Sequence, residues 1–387
     1  MRVVIVGGGP AGCFAALRIL RGRPTWRVTV IDRRGGQVGS PRGCAFCAGV
    51  LSPEVTRGLE RLNLTLPKEL VLSWISGIRW YTPDMKSIVY RPPGGALPTV
   101  SRGGLSGVPS FDHWLRDEVA AAGATVRQAT VSAVDWKEAS WRVQLSEGQT
   151  IAADKVILAH GLNGPRVGGE WERVVRYAPP KTGRAIQAEV VVTQAVPTDE
   201  VLVFSGFHPG LDFVAVTPKG LGYATLTAIG QGAGHISTGD MLASEPLQSY
   251  LRSGFPMECG CRPRYVETGG WVSAAHGLLV AGDLFASRFY KNGIGSAYYT
   301  GTAAAEAVME NYGQRYLDAV ARRFRWDNRV ARLLFSMCRR IGGHAGMNRI
   351  VRRSYLKDRL GPMAWAVFLG VEPYGRIARK LLIGGWS

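Results

Sequence analysis

The sequence predicts an α/β chain in three parts: a nucleotide-binding domain built on a parallel sheet, an inserted β-rich domain, and a basic helical C-terminal segment. Three observations predict it. An apolar strand, Val3 to Val6, runs into Gly7-Gly8-Gly9-Pro10-Ala11-Gly12 and then into helix formers from Cys13 to Leu20. Ala185 to Ala228 alternates β-rich runs with turns. Ala321 to Lys380 carries 15 Lys/Arg against three Asp/Glu, two thirds of the chain's net charge of +18.

The first strand and its turn read G-x-G-x-x-G, and a second strand, Arg27 to Ile31, ends on Asp32. Gly7 permits the tight turn, Gly9 lets backbone approach a pyrophosphate, and Gly12 lets helix pack on strand. Ala11 lies within the same turn, at the positive helix end that attracts phosphates. Asp32 stands where a carboxylate accepts hydrogen bonds from ribose hydroxyls. This is a Rossmann-like dinucleotide site, and Arg33 in the following Gly- and Pro-rich loop is placed to reach phosphates.

A distant segment completes it. From Leu278, a strand ends in Gly282-Asp283 and a glycine turn, Gly293-Ile294-Gly295, opens an Ala-rich helix. The pairing resembles the FAD-dependent oxidoreductases with the glutathione-reductase-like fold. There the second segment supplies an acid to the ribityl chain and a helix start to the flavin ring. The resemblance therefore implies FAD held by Gly7, Gly9, Ala11, Gly12, Asp32, Arg33, Gly282, Asp283, Gly293, Ile294 and Gly295. Lys291 would add positive charge at that helix start.

Taken in order, Arg33 to Gly43 is a loop, and Cys44-Ala45-Phe46-Cys47-Ala48-Gly49-Val50-Leu51-Ser52-Pro53 follows. Trp74 to Tyr81 and Lys86 to Tyr90 are expected strands around a Pro-Asp turn. Ser110 opens a helix that ends before Gly123. Thr125 to Ala133 and Trp141 to Leu145 are strands, with Ser146 to Gln149 as a hairpin turn. Lys155 to Leu158 leads into Ala159-His160-Gly161. Beyond Asn311 the chain is helical and basic, with Val330, Leu333, Leu334, Met337 and Ile341 on one face and Arg329, Arg332, Arg339 and Arg340 largely off it. The implied divisions are FAD-binding parts 1–73, 105–165 and 268–310, a substrate-domain insertion 74–104, a β-sheet substrate domain 166–267, and a basic helical region 311–387.

Three stretches resemble the geranylgeranyl reductase family within this superfamily. Cys47-Ala48-Gly49-Val50-Leu51-Ser52-Pro53 resembles its C-G-G-G-L-S-P-type loop, which lies beside the flavin, so Cys47, Gly49 and Ser52 become catalytic candidates. Pro218-Lys219-Gly220 matches its Y-x-W-x-F-P-K-G segment, but Phe213, Ala215 and Thr217 stand at the aromatic positions, implying a different or wider pocket. Phe213, Thr217 and Tyr223 are the substrate candidates, with sheet core as the plainer role for the aromatics. Phe111-Asp112-His113-Trp114-Leu115 resembles the R-x-x-F-D-x-W-L helix common to flavin monooxygenases and geranylgeranyl reductases, with Val108 in place of the cofactor-contacting arginine. Arg102 or an arginine after Asp32 is the expected substitute. His160 replaces the usual Asp or Thr of the superfamily.

What the resemblance implies is reduction of carbon–carbon double bonds in a prenyl or related lipid, with Cys47 or water as proton donor. A flavin monooxygenase hydroxylating an apolar substrate is the alternative, and a membrane-associated flavoprotein electron carrier the second. No nicotinamide motif follows the first glycine turn, so NAD(P)H and a ferredoxin-like donor protein both remain open.

Composition narrows the classes further. At 387 residues, with 46% hydrophobic and 20% charged, the chain is globular. Met1 leads straight into a strand without a signal-like segment, so a cytoplasmic protein is expected. Six cysteines at these spacings form no secreted disulfide framework. Cys44, Cys47, Cys259 and Cys261 also give no usable metal pattern, so no metal is expected. The basic segment 321–383, with its interspersed Trp and apolar runs, suits an anionic membrane surface, hence a peripheral association. No nucleic-acid module is evident.

Overall fold

The computed structural model describes residues 1–34, 47–91, 95–103, 110–206, 208, 210–252, 259–290, 292–341, 373–376 and 379. The loop after Arg34, Cys44, Val108, Lys291 and most of 342–387 lie outside them.

Along the chain come β1 (Arg2–Val6), α1 (Pro10–Gly22), β2 (Arg27–Asp32), β3 (Ala48–Val50) and α2 (Pro53–Arg61). Next are β4 (Val71–Ile75), β5 (Gly77–Tyr81), β6 (Ser87–Tyr90), β7 (Leu97–Ser101), α3 (Phe111–Ala121) and β8 (Thr125–Gln128). A small meander, β9 (Val131–Lys137), β10 (Ser140–Leu145) and β11 (Thr150–Ala153), precedes β12 (Lys155–Leu158) and α4 (Trp171–Val174). Then follow β13 (Lys181–Val191), β14 (Glu200–Phe204), β15 (Phe213–Gly220), β16 (Tyr223–Ile229), α5 (Thr238–Leu242) and α6 (Glu245–Gln248). The chain finishes with β17 (Cys259–Cys261), β18 (Arg264–Thr268), β19 (Leu278–Val280), α7 (Gly293–Glu310) and α8 (Gly313–Ile341).

Five strands, in the order β19-β12-β1-β2-β8, make a wholly parallel sheet. Its strands β1, β12 and β19 are near-continuous apolar, buried runs, as parallel strands covered on both faces are. Helix α1 packs closely on α7: a Cβ at Gly301 would stand 2.3 Å from the carbonyl oxygen of Ala11. Gly12 is forced in the same way, since its Cβ would meet Gly7 O at 1.9 Å. Here the G-x-G-x-x-G spacing has its mechanical meaning, since the turn and the helix leave no room for a methyl group.

The second large element is an eight-stranded sheet, β17-β13-β16-β15-β14-β5-β6 with β18 beside β13. One face packs Ile186, Ala188, Leu202, Phe204 and Leu226 into a core of its own. The other, with Ala185, Val203, Phe213 and Ala215, packs on Phe289, Tyr290, Ala331 and Tyr374. A three-stranded sheet, β3-β7-β4, lies between the two domains.

Two expectations need correction. Trp74 to Tyr81 is not one strand: it breaks at Ser76, whose N–H donates to Asp199 O at 2.8 Å, and its halves enter different sheets. Thr125 to Ala133 is likewise two strands, β8 in the parallel sheet and β9 in the meander. On α8, Leu333 is 62% exposed. The buried stripe is instead Tyr316, Leu317, Val320, Phe324, Asp327, Asn328 and Ala331, offset from the apolar face that the sequence suggests. The side chains of Leu334, Met337 and Ile341 are outside the described set.

Candidate functional site

Ligands of open parallel sheets bind beyond the carboxyl ends of the strands. Here those ends contribute Gly7, Gly9 and Ala11 after β1, Asp32 to Arg34 after β2, Ala129 to Val131 after β8, Ala159 to Gly161 after β12, and Gly282-Asp283 after β19. Together with Gly293, Ile294 and Ala297 of α7 they line a cavity of about 510 Å³. Cys47, Arg102, Gln187 and Cys261 line it from the side of the substrate domain.

The nucleotide end is preorganised. Asp32, 7% exposed, accepts from Gly8 N at 2.6 Å and from Arg34 N at 2.7 Å. Arg34 Nε is 3.3 Å from the same carboxylate, and Nη2 is 3.7 Å from where a Gly9 Cβ would stand. Arg33, which sequence reasoning favoured, lines the cavity but is largely exposed. Arg34 is therefore the arginine drawn over the glycine turn.

Arg102, one of the expected substitutes for the arginine that Val108 replaces, lines the cavity. Its Nε and Nη2 make a fork of 3.1 and 2.8 Å to Asp112, the acid of the F-D-x-W-L helix. Asp112 above all, helped by Cys47 and Asp283, raises the Arg102 pKa further. About a third of the Arg102 side chain is accessible, but the surface it presents is cavity wall. Burial pushes the Asp283 carboxyl up, with Ser287 and Arg102 opposing.

At the far end, Asn292 adopts a left-handed φ of 68° and caps α7, its Oδ1 accepting from Gly295 N at 3.0 Å. Gly295 was expected to offer its N–H to the cofactor, but that donor is already used by the cap and the residue does not line the cavity. Gly293 and Ile294 do. Gly12 likewise acts through packing rather than contact.

Among the catalytic candidates the structure separates three roles. Cys47 lines the cavity and its Sγ donates to Gln187 Oε1 at 3.0 Å. Gly49 lies off the cavity and lets β3 approach α7, since a Cβ there would stand 2.5 Å from Ile294 Cδ1. Ser52 is a correction: 1% exposed at the start of α2, it does not line the cavity. The substrate candidates also move. Phe213 is 2% exposed, edge-on to Tyr290 at 5.8 Å and beside Phe335 at 6.5 Å. Aromatic packing thus fills the space that a wider pocket would need. Thr217 is 8% exposed, and neither it nor Tyr223 lines the cavity. Gln187 and Cys261, adjacent in register across β13 and β17, were missed, for nothing local marks them.

His160 gives the test of fit for a dinucleotide. It lines the cavity, burial lowers its pKa to about 4, and its Nδ1 has no hydrogen-bond partner among the described residues. Such an orphaned buried atom is costly unless a ligand meets it. With the glycine cradle, Asp32 and Asp283, the residues fit FAD. No group of three or more metal-ligating side chains occurs among the described residues.

Residues 1–178 match the family model described as pyridine nucleotide-disulphide oxidoreductase, so this portion carries the FAD-dependent oxidoreductase fold and the cofactor is FAD. No curated protein sequence matches the chain. A geranylgeranyl bacteriochlorophyll reductase-like protein from Thermoplasma acidophilum is similar over 99% of this chain and 98% of its own, with a TM-score of 0.69 and 19% identity. The p-nitrophenol 4-monooxygenase of Pseudomonas putida is similar over 93% and 96%, with a TM-score of 0.65 and 14% identity. A Klebsiella pneumoniae protein, HpxO, complexed with FAD, is similar over 94% and 100%, with a TM-score of 0.62 and 14% identity. At these identities the likeness is one of fold. It also runs well past residue 310, farther than the roughly 300 residues over which the motifs carry it.

Proposed function

We propose that this protein is an FAD-dependent reductase that saturates carbon–carbon double bonds of a prenyl or related lipid. The observation that carries the reading is Cys47: its thiol shares the cavity with the dinucleotide-binding glycines, on a loop of the reductase type. Bound there, FAD supplies two-electron transfer. The chain supplies the proton and its control. Cys47 Sγ holds a proton at Gln187 Oε1, and Arg102, in the electrostatic field of Cys47, favours the thiolate left when that proton passes to a substrate carbon. Asp32, Arg34, Asp283 and the start of α7 would hold the cofactor.

A second reading is favoured by the likeness to the monooxygenase of Pseudomonas putida: hydroxylation of an apolar substrate, with the same cavity. Anaerobic incubation of FAD-loaded protein, reductant and a polyprenyl lipid separates the two. A gain of two hydrogens per double bond by mass spectrometry supports reduction, and product formed only with oxygen overturns it. Comparing lipids from cells with and without the gene identifies the substrate. The electron donor, NAD(P)H or a donor protein, is read from which of the two restores turnover.

The same lipid chemistry accounts for the outer face of α8. Trp326 and Leu333 are 65% and 62% exposed there, among the exposed Arg322, Arg325, Arg329 and Arg332. Apolar anchors ringed by arginine suit an anionic membrane surface. No helix among the described residues is long and apolar enough to cross a membrane.

A further inference from the structure

The substrate-domain sheet carries a buried charge pair that neither the cofactor site nor the cavity uses. Lys219, whose side chain is 0% exposed, donates from Nζ to Glu189 Oε1 at 2.6 Å, and Glu189 is 1% exposed. Desolvating two charges is expensive, so a pair in this position calls for a reason beyond stability. The other oxygen, Glu189 Oε2, accepts from Thr225 Oγ1 at 3.2 Å. Thr225 Oγ1 in turn accepts from the backbone N–H of Ala48 at 2.8 Å. Because Glu189 takes the hydroxyl hydrogen, the Thr225 lone pairs are turned toward Ala48. One step along the strands, Gln187 lies opposite Thr227 just as Glu189 lies opposite Thr225. Gln187 accepts from Cys47 Sγ and donates to Thr227 Oγ1 at 3.4 Å.

We propose that Lys219, Glu189 and Thr225 are positioning residues that set the Cys47 thiol in the cavity by fixing the backbone of Ala48. Two parallel tethers from β13 and β16 then hold one dipeptide: Gln187 takes the side chain of Cys47 and Thr225 takes the next amide. The sheet thereby helps to set where the sulfur lies, beside the bond from Arg102 N to Cys47 O at 3.2 Å. The lysine of Pro218-Lys219-Gly220 thereby acts on the thiol without touching it. The catalytic meaning of the tether rests on the reading of Cys47 above, whereas the tether itself is tested without substrate.

The experiment compares FAD-loaded wild type, Thr225→Val and Thr225→Ser, following iodoacetamide alkylation of individual cysteines by peptide mass spectrometry. Cys261 lines the same cavity outside the tether and serves as the internal control. Thr225→Val is expected to raise Cys47 alkylation and Ala48 amide exchange by about fivefold or more, as loss of one hydrogen bond implies. Cys261 should stay at the wild-type rate, and Thr225→Ser should restore Cys47. Equal Cys47 rates in wild type and Thr225→Val overturn the proposal, as does parallel acceleration of Cys261. Should Thr225→Val fail to fold, the wild-type Ala48 amide decides: slow exchange supports the tether, and exchange as fast as an exposed loop overturns it.

Discussion

Asn328→Ala tests whether the C-terminal helix is part of the cofactor site. Asn328 is fully buried on α8; its Oδ1 accepts from Phe289 N at 2.9 Å and its Nδ2 donates to Ser287 O at 2.9 Å. Both backbone groups belong to the loop between Asp283 and the start of α7, and both residues are at most 5% exposed. Truncation to Ala leaves an N–H and a C=O buried without this partner. Each such group costs about 1–3 kcal/mol, so the variant loses roughly 2–6 kcal/mol. At about 2–4 °C per kcal/mol, Tm falls by several degrees at least. Scanning fluorimetry with and without added FAD measures this, and weaker FAD retention should accompany it. Asn328→Asp keeps the acceptor but sets a second carboxylate beside Asp327, whose carboxyl burial already pushes up. That variant should be least stable at high pH and recover as pH falls and a carboxyl takes a proton. A Tm for Asn328→Ala within about 1 °C of wild type, with FAD binding unchanged, refutes the reasoning.

Other outcomes follow from the same geometry. His160, held down to about 4 by burial, costs the cofactor-free protein nothing above about pH 6.5. Stability is lost as pH falls from there to about 4, by up to about 3 kcal/mol, and then levels off; urea titrations of wild type and His160→Gln should differ in slope only in that window. Gly301→Ala drives a Cβ against the Ala11 backbone and should cost about 1–3 kcal/mol while weakening FAD binding, measured by flavin fluorescence; an unchanged affinity would count against the α1–α7 contact as a determinant of the site. Replacing Arg322, Arg325 and Arg329 by Gln should cut binding to phosphatidylglycerol-containing vesicles by roughly a hundredfold, at about 1 kcal/mol per charge. Binding that ignores both these changes and added salt would rule out an electrostatic membrane face.

How much was legible depended on how local each signal is. The β1 turn, α1 and Asp32 follow from strand period and glycine spacing, which need no tertiary knowledge. Arg34 over Arg33 turns on which side chain folds back onto Asp32, a choice that two adjacent arginines do not reveal. The buried stripe of α8 is hard to read because Asp327 and Asn328 sit inside it: a buried polar pair interrupts the apolar repeat. Gly295 was assigned to the cofactor because its motif position allows it; only the left-handed Asn292 shows that the amide is already capped. Ser52 carries the family pattern but does not line the cavity. Gln187, Cys261 and the Lys219–Glu189 pair come together through strand register, which no single stretch encodes.

The parallel pairing of β5 with β14 has a consequence for how the chain is assembled. Arg79 Nε reaches Glu200 Oε2 at 2.8 Å across 121 residues of sequence. The intervening stretch supplies β8 and β12 of the nucleotide-binding sheet, and that sheet in turn lacks β19 until residue 280. During synthesis each domain therefore waits on the other, with open strand edges on both. Long-range pairing of this kind folds slowly and leaves intermediates prone to aggregate. The interleaving also means that any contiguous fragment containing the complete sheet of one large domain carries strands of the other.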